Sequence, residues 1–179
     1  MRKIWGLLSL TTLILLLKSC SIGNSNMRKM FFARNNKQIA NEQLEALLEA
    51  IQSKNAQAVK ELFSDNAWAE SGNMEKSILA LFDYFQGELV SYKSWAGPSV
   101  HATKNHGEYW KSYDCTYDFE TTQDKYRLAM EIITVDTTDA DNIGIRSLYI
   151  IRFEDDTDQN CAYRGDGEHT PGINIGKTE

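Results

Sequence analysis

The hydrophobic period of this chain changes once, near Gly87, and that change does most to fix its fold class. Before Gly87 the apolar residues recur at helical spacing. Leu44, Leu47, Leu48 and Ile51 stand at i, i+3, i+4 and i+7, which lines one face of a helix within Ile39–Phe63. Ser53-Lys54-Asn55 interrupts the pattern, and Asn55 is suited to cap a second helix carrying Ala58, Val59, Leu62 and Phe63. A third helix reads from "NMEKSILALFDYFQG": Asn73 can cap it, and Ile78, Leu81, Phe82 and Phe85 form its apolar stripe. Gly87 stands where a left-handed C-terminal cap is expected. Beyond it the period is two, and β-branched and aromatic residues accumulate. Strands are expected at Leu89–Trp95, Ser99–Lys104, Tyr109–Thr121, Lys125–Asp136 and Ile143–Phe153, with "TTQD" and "DTTDADN" as the last two connections. Three helices followed by such a meander predict an α+β domain, its N-terminal helices packed on one concave face of a curved antiparallel sheet.

The N-terminus is of another kind. Arg2 and Lys3 precede an uncharged run of 14 residues, Ile4 to Leu17. That is short of the roughly 18 to 20 needed to span a bilayer, and it has the pattern of a secretory signal. The run ends in Leu17-Lys18-Ser19-Cys20, which resembles the lipobox of bacterial lipoprotein signals. Leu17 and Ser19 match that motif, whereas Lys18 stands where a small or aliphatic residue is usual. The resemblance implies that residues 1–19 are a signal peptide and that Cys20 is lipidated. It also implies that the protein is held on a bacterial cell membrane by this lipid, facing outside the cytoplasm.

Removal of residues 1–19 takes away Arg2, Lys3 and Lys18 and no acidic residue, leaving 16 basic against 25 acidic residues, a formal charge of −9 instead of −6. An acidic domain is repelled by phosphate backbones, so no nucleic-acid partner is expected. Residues 20–37 read as a tether. Its polar start, "SIGNSN", lets a domain stand off the membrane. Its second part, "MRKMFFARNNK", interleaves basic residues with Phe31 and Phe32. Those residues serve either as attraction to anionic lipid or as a lead-in packed on the domain. Residues 38–179 are read as one domain with a single core.

"AIQSKNAQAVKELFSDNA", "ILALFDYFQGELVSY" and the closing "PGINIG" look like an uncharacterised family of exported bacterial lipoproteins with a nuclear-transport-factor-2-like fold, also called cystatin-like. Ile51, Leu62, Phe63, Ser64, Phe82, Phe85 and Gly87 are among the matching residues, and the likeness runs from about Gln43 to Gly176. The resemblance implies a pocket between sheet and helices and no particular activity. Enzymes on this fold, such as steroid isomerases and polyketide cyclases, use an inward Asp or His as a base beside a Tyr donor. In Tyr109–Thr121 the inward set is Tyr109, Lys111, Tyr113, Cys115, Tyr117 and Phe119. The set expected to be solvated is Trp110, Ser112, Asp114, Thr116, Asp118 and Glu120. The pocket candidates are therefore His101, Tyr84, Tyr113, Tyr117 and Tyr126, with no catalytic constellation among them.

No cofactor and no metal site are expected. His101, His106 and His169 lack the paired spacing of a zinc site. The calcium-like start at Asp156, Asp158 and Asn160 fails, because Cys161 and Gly167 occupy positions that need Gly and Glu. With Cys20 lipidated, Cys115 and Cys161 remain as a possible disulfide or as two free thiols. Three functions stay open. The first is a non-catalytic, lipid-anchored binding module for a small ligand or a protein. The second is an immunity or envelope interaction protein that uses its acidic surface. The third is a pocket enzyme of the isomerase or cyclase type built on His101. A homodimer paired through the sheet is compatible with each.

Overall fold

The structure, a computed structural model, describes residues 29–32, 35–156 and 169–176. Residues 1–19, expected as a signal peptide, and Cys20 and Cys161 lie outside them. Four helices come first: α1 (Asn36–Gln52), α2 (Ala56–Leu62), α3 (Asp65–Glu70) and α4 (Met74–Tyr84). Five strands follow: β1 (Leu89–Asn105), β2 (Glu108–Thr121), β3 (Lys125–Asp136), β4 (Gly144–Arg152) and β5 (Gly172–Ile175). The strands lie in the order β1-β2-β3-β4-β5 in one open sheet, and the helices pack on one face of it. The α+β class is as the periodicity predicts.

Local chemistry sets the helix starts. Asn55 and Asn73 accept the Ala58 and Lys76 amides at 3.0 and 2.9 Å, and Ser64 accepts the Ala67 amide at 3.1 Å, capping α2, α4 and α3. Leu44, Leu47, Leu48 and Ile51 of α1 are buried, as are Ile78, Leu81 and Phe82 of α4. They meet Cys115, Tyr117, Phe119, Leu128, Met130 and Leu148 from the sheet. Each such aliphatic side chain contributes roughly 1.5–3 kcal/mol relative to exposure. Gly87 is not the cap of α4, which ends at Tyr84, with Phe85 as its C-cap in extended backbone. Gly87 takes a φ of +83°, and a Cβ there would stand 2.8 Å from Thr122 Oγ1 and 3.0 Å from the Gln123 amide nitrogen. Its role is to let the helix-to-sheet corner touch the β2–β3 turn.

The fold departs from expectation in three ways. The segments expected as two strands, Leu89–Trp95 and Ser99–Lys104, form one strand, β1, whose pairing with β2 shifts register on either side of Ala96. The connection before α4 contains α3, which the periodicity does not announce. Most consequential, the sheet is mixed and not antiparallel throughout: β5, from "GINI", pairs parallel with β4, Ser147 opposite Gly172. Residues 29–32 form a helical turn, and Phe31 and Phe32 meet the Tyr109 ring edge-on at 5.0 and 6.2 Å. The lead-in reading of the basic-aromatic stretch therefore describes its contacts.

The face of β2 expected to be solvated is buried along much of its length. Ser112, Thr116 and Asp118 are 1, 2 and 9% exposed, and Ile133 and Ile151 beside them are buried too. Alternation of polarity along a strand reports side-chain chemistry and not cover. Here the outer face is filled by polar groups that meet one another, with aromatic rings over part of them.

Candidate functional site

The candidate site lies on this outer face and is built from the strand register. The "TTQD" turn closes on itself, the Thr121 amide donating to the Asp124 carbonyl at 2.8 Å. It sets Glu120 opposite Lys125. The same register then places Asp118 opposite Arg127, Thr116 opposite Ala129 and Asp114 opposite Glu131. Beyond the exposed Glu120–Lys125 pair, two rungs of the outer face thus carry charge.

At the first rung the charges are complementary. Arg127 Nε donates to Asp118 Oδ1 at 2.7 Å and Nη2 to Asp118 Oδ2 at 3.3 Å, a two-pronged contact. Its Nη1 donates to Asp156 Oδ2 at 2.8 Å, which leaves Asp156 Oδ1 without a hydrogen bond. Arg127 is 3% exposed, and the Trp95 and Phe153 rings lie 4.3 and 5.0 Å from the centre of its guanidinium.

At the second rung a carboxylate faces a carboxylate, a placement that costs roughly 0.2–1 kcal/mol in a sheet. The rung crosses all five strands, Ser99, Asp114, Glu131, Ser147 and Gly172 standing side by side. Because β5 is parallel to β4, His169, three residues ahead of Gly172, arrives at this rung. Its Nδ1 stands 3.5 Å from Glu131 Oε2 and 4.0 Å from Asp114 Oδ1. From the other side His101 Nε2 lies 3.0 Å from Asp114 Oδ2. Glu131 is 8% exposed, and its Oε2 and Asp114 Oδ1 are buried with no hydrogen bond among the described residues. Burial pushes the Glu131 carboxyl above the ordinary carboxylate range. The Asp114 charge adds to this, against the opposing pull of His169, Arg146 and His101. One carboxylate oxygen each from Asp114 and Glu131 and one ring nitrogen of His169 lie within 4.8 Å of one another. They border a cavity of about 10 Å³ with Ala129, Met130, Ser147 and Tyr149.

The residues expected to form an inner pocket are arranged otherwise. Tyr113, Tyr117 and Tyr126 are buried on the helix-facing side, with their hydroxyls engaged. Tyr113 donates to Asn36 Oδ1 at 3.1 Å, Tyr117 to Asn41 Oδ1 at 3.0 Å and Tyr126 to the Tyr84 carbonyl at 3.0 Å. Tyr126 also accepts the Gln86 amide at 2.9 Å, and the Tyr84 hydroxyl accepts the Arg152 amide at 2.9 Å. Burial raises the Tyr84, Tyr117 and Tyr126 hydroxyls above the ordinary tyrosine value, so none is tuned as a proton donor near neutrality. His101 belongs to the opposite face and is not brought together with these tyrosines. Cys115 is a free thiol in the core, 3.8 Å from the Met130 carbonyl, and burial pushes it up to about 12. Cys161, its candidate disulfide partner, and Cys20, the expected lipidation residue, are outside the described residues.

The sequence held one unused signal for this site. With "TTQD" read as the turn, counting outward pairs Asp118 with Arg127 and Asp114 with Glu131, an ion pair followed by a like-charge pair. His169 has no such signal, since only the parallel docking of β5 brings it here.

Fold and site together define an α+β domain with an open mixed sheet and an acidic, histidine-flanked rung on the sheet's outer face. Residues 46–153, more than half of the chain, match the family described as a domain of unknown function, DUF5104, and the protein belongs to that family. No curated protein matches the chain. Among the described residues no helix is long and apolar enough to cross a membrane.

Proposed function

We propose that this protein is a lipid-anchored, extracytoplasmic binding module of nuclear-transport-factor-2-like (cystatin-like) fold that acts without catalysis. Its ligand is a small cation or a basic group of a partner protein, taken on the outer sheet face and not between sheet and helices. The observation that carries this reading is the Asp114–Glu131 rung, where two buried carboxylate oxygens lack hydrogen bonds beside a cavity. Buried polar groups left this way cost about 1–3 kcal/mol each, a cost that a cationic partner removes. The inner tyrosines support the non-catalytic part, since their hydroxyls are consumed by α1 and by backbone. The anchor rests on Leu17-Lys18-Ser19-Cys20.

Native mass spectrometry of the full chain, extracted in detergent from its own membranes, tests the binding half. A retained mass or partner on the wild type, absent from Glu131→Gln, is expected, and a bare wild-type chain overturns the reading. The same spectrum reports a homodimer. Metabolic labelling with a palmitate analogue, kept by wild type and lost by Cys20→Ala, tests the anchor. A second reading, an immunity or envelope interaction protein, is favoured by the −9 charge left after residues 1–19. It predicts a basic protein partner released by salt, independent of Glu131.

A further inference from the structure

We infer that Asp114, Glu131 and His169 form a divalent metal site of the Zn²⁺ and Mn²⁺ class, with His101 as the outer partner that orients Asp114. The inference rests on the proposed binding role of this rung and names its ligand.

Charge is the first ground. Two carboxylates share one partly buried place, and a single divalent cation neutralises both while the imidazole stays neutral to ligate. Donor geometry is the second. The His169 nitrogen is 3.5 and 4.0 Å from the two oxygens. Donors around a tetrahedral Zn²⁺, each about 2.0–2.2 Å from the metal, stand roughly 3.4 Å apart. All three donors lie within 4.8 Å of one another, and side-chain rotations that draw the two oxygens inward close the difference. Size is the third ground and decides between classes of ligand. The cavity of about 10 Å³ holds about one water-sized occupant, too little for an organic cation. One nitrogen and two carboxylate donors suit Zn²⁺ and Mn²⁺ better than the all-oxygen preference of Mg²⁺ or Ca²⁺, and better than the soft-donor preference of Cu(I).

The surroundings agree. Ligating carboxylates are characteristically held by a hydrogen bond from outside the metal's own ligand set, and His101 Nε2 at 3.0 Å from Asp114 Oδ2 supplies one. His169 has a φ of +54°, a left-handed backbone that is strained for a residue with a Cβ and clusters at ligand clamps. Three protein donors leave a coordination position for water or an outside ligand.

The test is a titration of the untagged full chain in detergent, stripped with chelator and dialysed, using ZnCl₂, MnCl₂ and MgCl₂ as the probes. Calorimetry and thermal unfolding are both read. One equivalent of Zn²⁺ binding with a rise in Tm is expected, with Mn²⁺ weaker and Mg²⁺ without effect. Glu131→Gln and His169→Ala should each weaken Zn²⁺ more than His101→Ala, for which about a tenfold loss is expected. Metal-free Glu131→Gln should melt no lower than wild type, which shows that its lost affinity is not lost folding. A wild type that takes up neither Zn²⁺ nor Mn²⁺, or variants that bind as well as it does, overturns the inference. If the titration fails while native mass spectrometry still shows a Glu131-dependent ligand, the metal falls and the binding role stands; failure of both removes both.

Discussion

At Asp118 and at Asp114 the same strand puts a carboxylate on the same face of the sheet, and β3 answers the first with a guanidinium and the second with another carboxylate. The Arg127 rung is matched, its fork spread over Asp118 and Asp156 and its flat faces against Trp95 and Phe153. Its one buried oxygen without a hydrogen bond, Asp156 Oδ1, belongs to a carboxylate that the guanidinium already neutralises. The Glu131 rung has two imidazoles at its margins and two oxygens without hydrogen bonds at its centre. Glu131 and Asp118 are 8 and 9% exposed, so burial of the carboxylate does not tell the structural charge cluster from the proposed binding one. The sign of the group across the strand does.

That contrast can be broken or sharpened by measurement. The largest effect is expected at Arg127. Arg127→Met leaves Asp156 as a buried charge without its partner and Asp118 with only the exposed Lys93 ammonium at 3.9 Å, and should cost about 3–5 kcal/mol, read as a fall in the urea midpoint. A cost below about 1 kcal/mol would erase the structural role assigned to this rung. Next comes Asp136, another carboxylate of the same hairpin. Burial pushes its carboxyl up, but hydrogen bonds from Thr138, Asn142 and the Asp139 amide prevail and hold it below the usual range. A depressed folded-state pKa contributes stability above the unfolded value and loses it as the pH falls through the folded one. Asp136→Asn should therefore cost about 1.5–3 kcal/mol at neutral pH. The gap between variant and wild type should close below about pH 4, and a gap that stays constant on acidification contradicts this account.

Tyr117→Phe is smaller, about 1 kcal/mol for the hydrogen bond to Asn41. It should leave every binding readout of the outer face unchanged, and an altered Zn²⁺ titration would show that the two faces are coupled. The smallest effect has the opposite sign. Glu131→Gln removes the like-charge rung and should raise metal-free stability by about 0.2–1 kcal/mol, visible as a slightly later unfolding transition. A clear loss of stability would make this rung a second structural cluster, and the comparison would fail.

Much of the helical layer was legible because its signals are local. The stripe from Leu44 to Ile51 and the caps Asn55 and Asn73 need only neighbours within a turn or two. The middle hairpin was legible for the same reason, β3 spanning Lys125–Asp136 as the alternation has it. What could not be read depends on distant contacts. Nothing within "GINI" says that it runs parallel to β4, and nothing near Ser64 announces the six residues of α3, tied down by the Ser64 amide on the Ile145 carbonyl. The site divides along the same line. Asp114 and Glu131 follow from the turn and a count of residues, whereas His169 depends on a strand whose docking no local pattern encodes. The inner tyrosines misled for a chemical reason: aromatic residues facing inward fit a pocket wall and a filled core equally well. Only their partners, Asn36 and Asn41 on α1, decide between the two.

The parallel pairing of β5 also sets a schedule. Asp114 and Glu131 meet when one tight hairpin closes, an early and local event, whereas His169 joins from 38 residues beyond Glu131 through a parallel strand at the edge of the sheet. Local pairings form faster than distant ones. Until β5 docks, the chain therefore carries two facing carboxylates without the His169 imidazole, which stands just ahead of β5. The full donor set comes into being only when the last strand locks onto β4, which makes it a mark of a finished domain.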